Sequence, residues 1–189
     1  MIGLAIAALM AAAPAQPLPA KLPPIDECSS DDSFALFRDT LASAAAREDS
    51  QALSALLAPG LRANAEDYWP RIRMLLRMGC VRSGEARILP SALKQLERFG
   101  PDSRAGKFLV IPGADLLETT EDPNSIVDGA VLKWDVVTAT NIAGHIWTGV
   151  QLRDGRSGWI IDADLYSLEY PSVMRVEWRD GQWVITGLE

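Results

Sequence analysis

The sequence is poor in the residues from which most catalytic and metal centres are built. It has one histidine and two cysteines among 189 residues. A zinc site needs about four ligands, so His145 with the distant Cys28 and Cys80 does not make one. A Ser-His-Asp or Cys-His centre would have to use His145, which sits in a Gly-flanked stretch that reads as a loop. Net positive charge is also missing. The chain carries −7 at pH 7, whereas nucleic-acid binding needs clustered Lys and Arg to neutralise phosphates. No apolar run reaches the roughly 20 residues that cross a ~30 Å hydrocarbon core, so no integral membrane span is expected. No phosphate loop or dinucleotide fingerprint appears, and no cofactor is expected. What remains is an ordinary globular composition, 48% hydrophobic and 23% charged, sufficient for one sizeable core or two small ones.

The longest apolar run is IGLAIAALMAAA at 2–13, followed by Ala13-Pro14-Ala15. This suits the hydrophobic region and small-x-small cleavage site of a secretory signal peptide at 1–15, although no Lys or Arg precedes it. The competing reading is a buried N-terminal helix. Export and an even cysteine count together suggest a Cys28–Cys80 disulfide, with two buried free thiols as the alternative. The expected location is periplasmic or secreted.

Pro17, Pro19, Pro23 and Pro24 make 16–27 read as an extended linker. A helical part spans 28–105. Asp31 or Ser30 can cap a helix with Phe34, Phe37, Leu41 and Ala45 inward. Asp49 or Ser50 can cap a second, stopped at Pro59-Gly60. A third runs from about Asp67 to Met78 with Gly79 as terminator, and a short fourth starts at Ser91.

After Gly106 the pattern becomes short runs rich in Val, Ile, Thr and Trp. They are Lys107–Ile111, Asp115–Thr119, Val131–Thr138, Ile146–Arg153, Gly158–Ile161, Val173–Arg179 and Gln182–Gly187. Asp154-Gly155 and Asp180-Gly181 between apolar runs are hairpin turns, and Asp128-Gly129 is a further turn signal. The charge divides at the same point. Residues 16–105 hold equal numbers of acidic and basic side chains, and the entire −7 lies after Gly106. The fold class expected is therefore α+β: a helical N-terminal part, a small antiparallel barrel over 106–170, and a C-terminal hairpin over 171–189.

Several constellations invite a chemical reading and also have a plainer one. Ser91-Ala92-Leu93-Lys94 has the Ser-x-x-Lys spacing of penicillin-recognising enzymes, but no Ser-Asp-Asn or Lys-Thr-Gly accompanies it; a helix cap with a solvated lysine explains it better. The acidic pairs Asp31-Asp32, Glu48-Asp49, Glu66-Asp67 and Glu121-Asp122 mostly fall at helix starts and turns, where carboxylates accept from free N–H groups. Arg71, Arg73, Arg77 and Arg82 read as a solvated helix face.

Trp147-Thr148-Gly149-Val150-Gln151-Leu152-Arg153-Asp154-Gly155-Arg156-Ser157-Gly158-Trp159-Ile160 resembles the bacterial SH3-type domain pattern, and 115–165 is similar to that family as a whole. Two positions depart from it: Glu118 stands where the family usually has Arg, and Trp134 where a turn glycine is common. Over most of its length the chain also resembles exported proteobacterial proteins of unassigned function. The likeness rests on Met78-Gly79-Cys80, the barrel motif, Leu165-Tyr166-Ser167-Leu168-Glu169-Tyr170 and a hairpin around Asp180-Gly181-Gln182-Trp183.

The resemblance implies an SH3-like barrel that binds a cell-wall peptide or a partner protein in the envelope. The expected function is non-catalytic binding, with Trp147, Trp159 and Tyr166 as contacts and Asp154 and Asp162 supplying negative charge. A small periplasmic cell-wall hydrolase using carboxylates and a purely structural docking protein are the alternatives.

Overall fold

The computed structural model describes residues 16–127, 132–143 and 146–189. The expected signal peptide, the Asp128-Gly129 turn and His145 lie outside them. The elements are α1 (Asp32–Arg47), α2 (Ser50–Leu56), a 3-10 helix (Pro59–Tyr68), α3 (Trp69–Leu76), β1 (Val81–Ser83), β2 (Ala86–Leu89), α4 (Ala92–Leu96), α5 (Pro101–Arg104), β3 (Lys107–Val110), β4 (Val136–Ala143), β5 (Trp147–Gln151), β6 (Ser157–Ile161), a 3-10 turn (Asp162–Asp164), β7 (Leu165–Ser167), β8 (Met174–Arg179) and β9 (Gln182–Leu188).

The helix starts follow the capping chemistry of the sequence. The Asp31 side chain accepts from the Phe34 amide, and the Asp49 side chain accepts from the Ala52 amide. Each satisfies an N–H that the helix itself leaves unpaired. Phe34, Phe37, Leu41, Ala44 and Ala45 form the buried stripe of α1. The third helix begins at Trp69, two residues later than expected, because Pro59–Tyr68 winds as a 3-10 helix instead. Pro70 lies in the first turn of α3, where its missing N–H costs nothing. Ser91 does not cap α4. It is fully buried, its Oγ accepting from the Ile25 amide at 2.8 Å and donating to the Met78 carbonyl at 3.0 Å. Lys94 pairs with Glu27 at 2.7 Å. Both members of the Ser-x-x-Lys pair are thus occupied in holding the N-terminal segment.

That segment is tied down at several points. Leu22 is 1% exposed. Its amide donates to the Trp134 carbonyl, the Val136 amide donates to Ala20, and the Cys80 amide donates to Ile25. Gly79 makes the close approach possible. It has φ +71°, and a Cβ there would fall 2.5 Å from the Ile25 carbonyl oxygen. One residue further on, Cys80 is bonded to Cys28, and both are fully buried.

Two antiparallel sheets complete the molecule. One has the order β1-β2-β8-β9, so a hairpin at the end of the helical stretch pairs with the C-terminal hairpin, Leu89 opposite Met174 and Arg87 opposite Val176. The C-terminal hairpin itself turns at Asp180-Gly181, as its sequence requires. The main core runs across both halves of the chain, from Leu22 and Phe34 through Ile72 and Leu75 to Val176 and Ile185. The second sheet has the order β6-β5-β4-β3-β7 and is not closed by strand pairing. Its own core is aliphatic, made by Val110, Leu116, Leu132, Val137, Val150, Leu152, Ile160 and Leu165.

The segment Asp115–Thr119 is not a strand; it contributes an isolated bridge in which Leu117 exchanges two hydrogen bonds with Trp159 along the outer side of β6. Gly158 permits this approach. A Cβ there would lie 2.5 Å from the Leu117 carbonyl oxygen, so its role is to admit a neighbouring backbone, not to bend its own strand.

Candidate functional site

Strand alternation decides which side chains the five-stranded sheet offers outward. In β5, Thr148 and Val150 are buried, and Trp147 and Gln151 lie on the other face. In β6, Ile160 is buried between Trp159 and Ile161. The register pairs Trp147 with Ile161 and Gly149 with Trp159, which puts both indoles and Ile161 on one face. The Trp159 ring lies against Gly149, where an added Cβ would be 3.3 Å from the ring. Leu117 continues the row beyond Trp159 and is itself bridged to Ile126. Ile126 and Ile161 are exposed to 49% and 37%, and both indoles are half-buried. The result is an apolar strip on the outer face of β5 and β6, with exposed Asp115 and Glu118 on the Leu117 segment beside it.

The five expected contact residues fall into separate groups. Trp147 and Trp159 share the outer face of the sheet, whereas Asp162 is turned to the other side, towards Thr148. Asp162 follows directly on Ile161, its amide donates to the Ile146 carbonyl, and its Oδ1 accepts from the Thr148 hydroxyl at 2.7 Å. Asp154 lies in the turn beyond the opposite end of the β5–β6 hairpin, whose paired strands alone span about 13 Å. It is paired with Arg156 at 2.7 Å, and that hydrogen-bonded guanidinium holds its carboxyl below the usual range. Tyr166 is not a surface contact. It is 1% exposed, and its hydroxyl donates to the Ser172 carbonyl at 2.8 Å. Burial pushes its phenol above the ordinary tyrosine value. Its place in β7 turns it into the core, whereas Tyr170, four residues on, is 79% exposed. Ile161 and Ile126 were missed; Ile161 was legible in principle, two residues after Trp159 in a strand.

The carboxylates that depart from their ordinary range move the wrong way for a general acid. Asp31 is lowered to about 2 by the Ser33 hydroxyl and by Arg87. Lys94 lowers Glu27, and Arg175 with Arg179 lowers Glu177. No group of three or more His, Cys, Asp or Glu suited to a metal ion occurs among the described residues, and none of their helices is long and apolar enough to cross a membrane.

No family model, no curated protein and no solved structure matches the chain.

Proposed function

We propose that this is a non-catalytic binding module of the cell envelope, with a five-stranded sheet of the bacterial SH3 type that recognises an extended peptide. The carrying observation is the outer face of β5 and β6, where Trp147, Trp159 and Ile161 present half-exposed rings and aliphatic surface side by side. Amphipathic rings on a rigid sheet suit an extended chain, because they bury apolar area with little loss of side-chain freedom. The excess of acidic groups after Gly106, with Asp115 and Glu118 beside the strip, favours a peptide carrying Lys, Arg or a free amine. The disulfide supports an oxidising compartment, where such bonds persist.

Tryptophan fluorescence, with amide shifts, during titration with soluble peptidoglycan fragments and with a lysine-containing extended peptide tests the reading. Saturable change that is weakened tenfold or more in both Trp147→Ala and Trp159→Ala is expected (about 1.4 kcal/mol or more each). Unchanged spectra with both probes, or binding indifferent to both substitutions, would remove the basis for it.

A further inference from the structure

A cleft of about 450 Å3 separates helix α3 from the Asp162–Asp164 turn. Pro70, Arg71, Arg73, Met74 and Arg77 form one wall; Asp162, Ala163, Asp164 and Leu165 form the other. Most of its charges are already engaged. Arg73 pairs with Glu48 at 2.6 Å, and Arg77 pairs with Asp164 at 3.6 Å while also donating to the Pro112 carbonyl. Two groups stand apart. Arg71 is half-buried, with no hydrogen bond or ion pair among the described residues. On the other wall, Asp162 uses one oxygen to accept from Thr148, and no ion pair to it occurs among the described residues. No salt bridge joins Arg71 to Asp162. The lining they share includes Pro70, Met74, Ala163 and Leu165, which are apolar.

The geometry points to a binding site for a small zwitterion in this cleft: an amino acid or short peptide whose free carboxylate meets Arg71 and whose free ammonium meets Asp162. A guanidinium recognises a carboxylate through parallel N–H donors, and the carboxylate of Asp162 has an oxygen left to accept from an ammonium. The apolar lining residues receive the ligand's carbon body. The volume lies in the range of small-molecule sites. A ligand lacking either charge leaves one of the two groups desolvated without a partner, and that gives the site its selectivity. The site is separate from the indole strip and does not depend on it.

The test is an NMR titration of the intact, disulfide-bonded protein with the dipeptide Ala-Leu, its N-acetyl form and its C-terminal amide. Saturable shifts at Arg71, Met74 and Ala163 are expected with the free dipeptide, and each capped form should bind at least about tenfold more weakly. Arg71→Gln should lose as much as amidation does and show no further loss when the ligand is amidated. Asp162→Asn, which keeps the Thr148 hydrogen bond, should do the same for acetylation. Trp147→Ala should leave the affinity unchanged. Absence of saturable shifts, equal binding of the capped forms, or loss of binding in Trp147→Ala would each overturn the inference, the last by placing the ligand on the sheet face.

Discussion

Trp134 adopts a left-handed backbone, φ +63°. It is 7% exposed in the main core, its amide donates to the Val110 carbonyl at 3.1 Å, and its carbonyl accepts from Leu22 at 2.9 Å. A bulky L-residue in this region carries about 1–2 kcal/mol of backbone strain. The burial of the indole offsets it, since removing a buried Trp side chain costs about 3–5 kcal/mol. The two contributions separate in a pair of variants. Trp134→Ala loses the indole and keeps the strain. Trp134→Gly loses the indole, and a methyl more, and sheds the strain. Ordinarily glycine is the less stable by about 0.5–1 kcal/mol. Here the order inverts, with Trp134→Gly the more stable by about 1 kcal/mol. Urea unfolding followed by far-ultraviolet circular dichroism would show this as a higher midpoint at an equal slope, and heating as a Tm about 2–4 °C higher. If Trp134→Ala equals or exceeds Trp134→Gly in stability, the strain is not real and the reasoning fails.

Asp31 caps α1 and pairs with Arg87, whose side chain is only 10% exposed and stacks over Trp183 at 4.8 Å. Asp31→Ala should cost about 3 kcal/mol, because it removes a cap and strands a buried cation. Since the folded carboxyl lies at about 2, below its ordinary 3.8, its contribution is present above pH 4 and disappears as pH falls towards 2. Acid titration of the unfolding midpoint should show that loss in the native protein and not in Asp31→Ala. The disulfide joins residues separated by 52 positions, so Cys28→Ala with Cys80→Ala should lower stability by about 4 kcal/mol in the chain-entropy account; a cost under about 1 kcal/mol would contradict it. Both sulfurs being buried, reduction by dithiothreitol should be slow until urea is added. Gly158→Ala should push Leu116 and the Leu117 backbone away, costing about 1–3 kcal/mol and removing hydrogen-exchange protection at Leu117 and Trp159, with β8 and β9 unaffected.

Local chemistry made part of this fold legible. Asp31 and Asp49 announce their helices because a carboxylate before an apolar stripe satisfies free N–H groups whatever lies around it. Asp154-Gly155 and Asp180-Gly181 announce hairpins because the turn demands positive φ, and glycine supplies it in both. The cysteine pair is legible from count and context. The helical and β-rich stretches follow from periodicity.

Tertiary packing decided the rest. Val81–Ser83 and Ala86–Leu89 are too short, and too interrupted by Arg82 and Arg87, to read as strands; they become a hairpin because β8 lies alongside, far away in sequence. The proline-containing segment looks like a linker because nothing within it shows that Ser91, Cys80 and Trp134 will receive its polar groups. The filling of the five-stranded sheet's core was decided in the same way: aliphatic side chains fill it, because the β5 and β6 register turns Val150 and Ile160 inward and leaves Trp147 and Trp159 outside. Sequence states which residues alternate, but only the assembled sheet states which of the two faces meets water.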